Sequence, residues 1–281
     1  MEQKWFAVYL FYPGELDEVL LGLIAPLTDV YLSDRRLVPS YFFIRYWEGG
    51  SHIRLRVKTG AEQWQVILKQ LEERADKLFT GYDLTAAVYA PEIERYGDER
   101  SIYWAERHFF QSSVFVLNYI CTRKNGASVL IQALRMQLIL LFAAQLEMSR
   151  LTEIGAFFIN GWLPRLYTKT DDFPAQKTFW LNEFENSFKR TKEFILPASL
   201  AFWEELNTGT ADKQVMELLK VDQQIMLSYL AGGFGETKIT EIMTSIMHMD
   251  NNRLGISNYE EAYGMYCTMQ CLDFIAQNVF F

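Results

Sequence analysis

The stretch Ser51-His52-Ile53-Arg54-Leu55-Arg56-Val57 sets three basic side chains two residues apart. Side chains of a strand alternate between faces, so His52, Arg54 and Arg56 share one face while Ile53, Leu55 and Val57 share the other. The second face has the character of a core and the first is cationic. Guanidiniums present planar forks that hold carboxylates or phosphates bidentately, which a lysine point charge does not reproduce. The preceding segment places Tyr41, Phe43, Arg45 and Trp47 on one face, opposite Phe42, Ile44 and Tyr46. If the hairpin register aligns the arginine faces, Arg45, Arg54 and Arg56 line a concave anion-binding patch. The competing reading is a solvated face whose arginines pair with surplus acids, each exposed pair worth at most about 1 kcal/mol.

Two other segments carry groups suited to chemistry. Pro91-Glu92-Ile93-Glu94-Arg95-Tyr96-Gly97 lies between a strand and a helix, where an exposed loop held by fixed elements can line a cleft; a local Glu92–Arg95 ion pair is the plainer reading. His248-Met249-Asp250-Asn251-Asn252-Arg253-Leu254-Gly255 places His248 and Asn252 four residues apart, on one face if the helix persists. Arg253 sits where a helix dipole favours a cation. A lone helical histidine is usually structural, but imidazole is also the side chain whose ordinary pKa suits proton transfer near neutral pH.

Other chemistries lack their residues. Gly232-Gly233-Phe234-Gly235 has neither the preceding strand nor the spacing of a nucleotide-binding loop and is read as an interhelical turn. There is no Gly-x-Ser-x-Gly elbow. Cys267 and Cys271 have no histidine close in sequence to complete a metal set, so they are read as small hydrophobes, with no metal and no cofactor expected.

The elements that must hold these groups follow from periodicity. Trp5–Tyr12, Tyr41–Trp47, His52–Lys58 and Leu84–Ala90 read as strands, with helices at Glu15–Leu32 and Glu62–Phe79. This β-α-β-β-α-β order suits a ferredoxin-like sheet, predicted over residues 1–97 of an α+β fold. From 98 to 281 the sequence predicts a helical bundle: Ser101–Thr122, Ala127–Arg150, Thr178–Glu193, Ala211–Ala231, Lys238–Met249 and Tyr259–Asn278, punctuated by Asn125-Gly126, Pro164, Gly232-Gly233 and Gly255. Ser257 and Glu260 have capping-box spacing, so residues 248–257 are expected to form a corner between the last two helices. No internal repeat or long linker separates the halves, which are expected to share one core as a single domain.

Composition narrows the partners. Half of the 281 residues are hydrophobic, enough for a sizeable core, and a net charge of −8 argues against direct nucleic-acid binding. No secretory signal opens the chain, and Gln132, Arg135, Gln137 and Gln145 interrupt its most apolar run, so the expectation is a cytoplasmic protein without a membrane span. Three irregularly spaced cysteines fit a reducing compartment.

Together, Phe42-Phe43-Ile44-Arg45-Tyr46, His52-Ile53-Arg54-Leu55-Arg56, Pro91 to Gly97 and His248-Met249-x-x-Asn252-Arg253-Leu254-Gly255 resemble the C-terminal domain of lantibiotic dehydratases, also called the thiopeptide-type bacteriocin biosynthesis domain. The resemblance covers nearly the whole chain. It implies a lyase acting in the cytoplasm on a ribosomal precursor peptide, leader and core. A separate region of such dehydratases transfers glutamate from glutamyl-tRNA to Ser or Thr; the C-terminal domain then eliminates glutamate to leave dehydroalanine or dehydrobutyrine. These 281 residues lack that transfer region, so the resemblance implies a stand-alone elimination protein working with a separate glutamyl-transfer partner.

By the same resemblance Arg56 and Arg95 are the elimination arginines and His248 the proton-transfer residue. Arg45, His52, Arg54, Glu92, Tyr96, Asn252 and Arg253 are expected around the substrate, with Glu92 and Asn252 orienting the arginine and histidine. The chain departs from the family pattern at Asp98, where a second glycine often follows, and this sets a negative charge beside the motif. Relatives sharing the fold join two dehydroalanines by a formal cycloaddition, as pyridine synthases; the Arg and His set favours elimination. A non-catalytic peptide-binding subunit, pairing a sheet edge with an extended leader, is the third reading.

Overall fold

The computed structural model describes residues 2–32, 40–123, 128–167 and 172–278 as a mostly helical chain with one four-stranded antiparallel sheet. Its contacts divide into two compact units, Met1–Glu94 with Asp98–Ala127, and Arg95–Gly97 with Ser128–Phe281. The expected break at Asn125-Gly126 lies outside the described residues.

In the first unit, β1 (Lys4–Phe11), β2 (Ser40–Tyr46), β3 (His52–Thr59) and β4 (Asp83–Ala87) run in the order β2-β3-β1-β4. Between β1 and β2 come α1 (Leu16–Val19), a π-helical turn (Leu20–Ile24) and α2 (Ala25–Leu32); between β3 and β4 comes α3 (Ala61–Leu78). The β2–β3 hairpin turns through Gly49 and Gly50, at φ 79° and 121°, a region that costs other residues dearly. One sheet face carries Val8, Leu10, Phe43, Ile53, Leu55 and Val57, all buried. Trp64 of α3 stacks on Phe6 of that face at 5.3 Å, and α3 turns its buried Ile67, Leu71 and Ala75 inward at helical spacing.

Helix α4 (Ile102–Thr122) belongs to this unit, although the sequence boundary after 97 grouped it with the bundle. It packs along the β2 edge: Phe109 meets Phe42 at 5.4 Å, Phe110 meets Tyr41 at 5.5 Å, and the Phe43 amide donates to Ser113 Oγ at 3.3 Å. The helix thereby supplies an acceptor to an edge amide that no strand pairs.

The second unit contains α5 (Val129–Ala143), α6 (Met148–Trp162), a 3₁₀ turn (Leu163–Leu166), α7 (Phe173–Lys189), α8 (Lys192–Thr208), α9 (Lys213–Ala231), α10 (Glu236–Leu254) and α11 (Asn258–Asn278). Three of these depart from expectation. The single helix expected over 127–150 breaks at Gln145, a non-glycine at φ 52°, and α6 begins three residues later. Helix α8, not expected, tolerates Pro197 in its interior and ends on Gly209 at φ 72°. Helix α10 runs five residues past Met249, so most of the expected corner is helical and only Gly255, Ile256 and Ser257 turn.

That turn uses both predicted signals. Gly255 is left-handed, its amide donates to the Asn252 carbonyl at 3.0 Å, and the Ile256 amide reaches the Asn251 carbonyl at 3.0 Å, a Schellman closure. Ser257 and Glu260 complete the capping box, with Ser257 N to Glu260 Oε2 at 2.9 Å and Glu260 N to Ser257 Oγ at 3.3 Å. Cys267 and Cys271 are buried in α11, and burial pushes their thiols up to about 12 and about 11. Among the described residues no helix is long and apolar enough to cross a membrane.

Candidate functional site

In the sheet unit the register sorts the basic residues. His52 pairs with Tyr46 and Phe11, Arg54 with Ile44 and Tyr9, and Arg56 with Phe42 and Ala7, so these residues share a face. Arg45 pairs with Ile53 and therefore lies on the opposite face, where its guanidinium bridges to Asp17 at 2.5 Å. The expected three-arginine patch is thus two arginines and a histidine; Arg45 is part of a structural ion pair that joins β2 to α1.

His52 is 1% exposed, and both of its ring nitrogens are engaged within the protein: Nδ1 lies 2.7 Å from the Gly50 carbonyl, and Nε2 accepts from Arg54 Nε at 3.1 Å. A carbonyl only accepts, so Nδ1 carries the hydrogen and Nε2 offers its lone pair to Arg54. His52 therefore aims Arg54 and does not reach a substrate as expected. The guanidinium of Arg54 lies 3.4 Å over the Tyr46 ring and 4.7 Å from that of Tyr9, contacts worth about 0.5–2 kcal/mol according to solvation. Arg56, 8% exposed, sits 5.5 Å from the Phe42 ring and 5.7 Å from Tyr89. Beside Tyr89, Glu106 accepts from Trp5 Nε1 at 3.0 Å, and burial holds its carboxyl above the usual range.

Burial and the neighbouring Arg54 and Arg56 charges lower the His52 pKa, against a smaller opposing pull from the Gly50 carbonyl. The unfolded chain takes this proton near pH 6.5 and the folded chain only below it. The contribution of His52 to stability is therefore full above pH 6.5 and is lost as pH falls through the folded value. An NMR titration is expected to put the His52 midpoint below 6.5; a midpoint at or above 6.5 would contradict the neutral, Arg54-aiming role.

The Glu92 side chain is exposed in the sheet unit, while Arg95–Gly97 belong to the helical unit. Gly97, at φ 114°, needs its freedom from a Cβ. The carboxylate of Asp98 is consumed locally: its oxygens accept from the Arg100 and Ser101 amides at 2.8 and 2.9 Å and pair with the Arg100 guanidinium at 3.0 Å. Arg100 chiefly, helped by these amides, holds it below its ordinary pKa. The Asp98 charge thus closes the turn 98–101 that leads into α4.

In the helical unit, Arg95 donates from Nε to Ser245 Oγ at 3.2 Å. Ser245 lies three residues before His248 on α10, so the two share a helix face. The structure thereby brings Arg95 and His248 to one surface of this unit. The His248 ring packs 4.6 Å from that of Trp162, which stacks on Phe158 at 4.9 Å and carries the Arg165 guanidinium at 3.9 Å. His248 Nδ1 faces both carboxylate oxygens of Glu261, at 3.0 and 3.1 Å, and Asn251 Nδ2 reaches the same carboxylate at 3.4 Å. The His248 side chain is 19% exposed and that of Glu261 3%, so a substrate can reach the imidazole but not its carboxylate partner.

Glu261 was missed from sequence, although a signal existed. A Schellman closure followed directly by a capping box folds two helices back on each other, so residues at similar distances from the turn meet. His248 lies seven residues before Gly255 and Glu261 six after it.

Three expected substrate contacts are instead parts of the scaffold. Arg253 is 0% exposed with Asp250 at 3.5 Å, and burial lowers its pKa to about 10 against the pull of Asp250. Tyr96 is 3% exposed, and its carbonyl accepts from Tyr229 OH at 3.0 Å. Asn252, 9% exposed, gives its carbonyl to the Gly255 closure. These residues fix the Arg95–Gly97 segment and the α10 terminus. Asn252 and Arg253 are buried because α10 continues beyond Met249 and turns its last residues inward, and Tyr96 because it closes a 3₁₀ turn, Ile93–Tyr96, with its ring inside.

Known proteins bear the same arrangement of elements. The pyridine synthase TbtD from thiomuracin biosynthesis superposes with a TM-score of 0.72 at 15% identity, covering 99% of each chain. The tRNA-dependent lantibiotic dehydratase MibB from Microbispora sp. 107891 superposes with a TM-score of 0.63 at 19% identity, over 94% of this chain and 28% of that one. At these identities the likeness is one of fold. Nisin biosynthesis protein NisB from Lactococcus lactis subsp. lactis is 25% identical over 268 residues, 89% of this chain and 24% of that protein, so the chain spans about a quarter of its curated relative. The wider sequence pattern that includes the Arg95 and His248 segments is that of the lantibiotic biosynthesis dehydratase C-terminal family, whose profile matches residues 5–272, and the chain belongs to this family.

Proposed function

We propose that the chain is a lyase that eliminates glutamate from glutamylated Ser or Thr residues of a ribosomal precursor peptide, leaving dehydroalanine or dehydrobutyrine. The observation that carries this reading is the pairing, on one face of α10, of a reachable histidine backed by a buried carboxylate with an arginine held by Ser245. In the elimination the Cα–H bond breaks, its electron pair becomes the Cα=Cβ bond, and the Cβ–O bond breaks with its electrons leaving on glutamate. His248 takes the α-proton, and Arg95 binds a glutamyl carboxylate, matching charge where it develops. Arg56 is proposed as a second elimination arginine, with Arg54 binding beside it and Glu92 at the motif's exposed end.

A glutamyl-tRNA-dependent transfer activity must supply the ester, in the cytoplasm where charged tRNA is found. The chain is read as one elimination-type domain, and its β2-β3-β1-β4 order supports reading the sheet as ferredoxin-like.

The end-to-end likeness to TbtD favours a second reading, cyclisation of an already dehydrated peptide. Incubating the purified protein with a chemically glutamylated peptide and, separately, with its dehydroalanine form distinguishes the two by mass spectrometry. Loss of glutamic acid from the first supports elimination. Intact ester alongside cyclised product from the second overturns it. Binding without turnover of either also overturns it and leaves a peptide-binding subunit.

A further inference from the structure

We propose that Glu261 is a positioning residue that holds His248 in one tautomer and one orientation, so that Nε2 is the nitrogen that takes the proton; this rests on the elimination reading above. A carboxylate has only acceptors, so its contact at 3.0 and 3.1 Å requires a hydrogen on Nδ1. In the neutral ring, Nε2 then carries the lone pair. No described residue hydrogen-bonds to Nε2, and the partly exposed ring edge lets a substrate approach it.

Three contacts restrain the pair. Asn251, one helical turn beyond His248, donates to Glu261 Oε2 at 3.4 Å and fixes the carboxylate. Trp162 packs against the imidazole at 4.6 Å and restricts rotation of the ring. The capping box anchors the first turn of α11, from which Glu261 projects. Burial is the largest influence and raises the Glu261 pKa, against the opposing pulls of His248, Asn251 and the Arg165 charge, which favour the carboxylate. The dipole at the start of α11 adds to that second group. A buried acid so held has no contact with substrate to make; its use is to set the imidazole.

Glu261→Gln is the direct test, because it keeps the shape and changes the hydrogen-bond logic. The introduced amide offers Nδ1 a donor as well as an acceptor, so the ring is no longer confined to the Nδ1–H tautomer, and the amide orientation that donates to Nδ1 leaves the proton of the neutral ring on Nε2. With only three histidines in the chain, ¹⁵N-histidine labelling resolves each ring. The Nδ1–H signature is expected for His248 in the parent protein, and an Nε2–H population is expected to appear in Glu261→Gln. Elimination of a glutamylated peptide should fall about 10²- to 10⁴-fold in kcat with KM changed little, and Glu261→Asp should recover part of the rate.

The spectra need no substrate, so they separate this inference from the reaction assigned above. An Nε2–H signature in the parent overturns the positioning role even if the parent eliminates glutamate. An undiminished rate in Glu261→Gln overturns its use in the reaction. Parent protein with the Nδ1–H signature but no elimination leaves the pairing standing and removes the lyase reading.

Discussion

Replacing His248 with alanine will lower glutamate elimination by about 10²- to 10⁴-fold while the protein remains folded, the usual contribution of a positioned general acid–base group. Stability should hold because His248 occupies a partly exposed position midway along the last turns of α10, and alanine is the strongest helix former. The substitution removes one ring from the Trp162 contact and leaves Glu261 with Asn251 and the nearby Arg165 charge. In a reaction followed by mass spectrometry, the glutamyl ester should persist while dehydroamino acid fails to appear.

Arg95→Ala supplies the contrast. Losing a carboxylate-binding group should raise KM as well as lower kcat, and Arg95→Lys should restore little, because a single ammonium does not replace a planar fork. Product formation by His248→Ala within about threefold of the parent would remove His248 from the chemistry. That threshold sits well under the smallest loss expected of a general base.

The parts of this arrangement that could be read from sequence are those set by local periodicity. Alternation placed His52, Arg54 and Arg56 on one face of β3, and the capping residues located both sides of the α10–α11 turn. Failures arose where a long-range fact decided the outcome. Arg45 has the same side-chain chemistry as Arg54, but the cross-strand register, one residue out of phase, sends it to the opposite face. Nothing in the apolar run from Val129 onward announces the break at Gln145, because that residue adopts a left-handed conformation without being glycine. Pro197 argues locally against α8, yet the helix buries Phe202, Trp203 and Leu206 and persists through it. Glu261 was overlooked because its significance lies in a contact with a residue on another helix. Arg253 was assigned to the substrate on the expectation of a helix ending at Met249, whereas α10 continues through it and buries it.

Removing Asp250 should therefore destabilise the protein by about 3–5 kcal/mol, the range for depriving a buried ion of its charged partner. Arg253 has 0% exposure and the Asp250 side chain 5%, at a separation of 3.5 Å. Burial already disfavours the guanidinium charge enough to lower its pKa to about 10, and Asp250 is the first opposing influence. Asp250→Ala removes that influence while the cost of desolvation remains.

A loss of this size is a large fraction of the roughly 5–15 kcal/mol that holds a typical domain, so the urea midpoint should shift far enough to be unmistakable. Arg253→Met paired with Asp250→Leu should recover much of the loss, because replacing both members of a buried pair by apolar groups of similar volume removes the uncompensated charge. The outcome also separates two roles for Arg253. A substrate contact predicts that Arg253→Met raises KM while the urea midpoint stays fixed. A buried strut predicts the reverse order of effects: the midpoint falls first, and activity follows it because Arg253 also interacts with Tyr96, the neighbour of Arg95. If Arg253→Met and Asp250→Ala both leave the unfolding free energy within about 0.5 kcal/mol of the parent, the structural role is wrong and the substrate assignment returns.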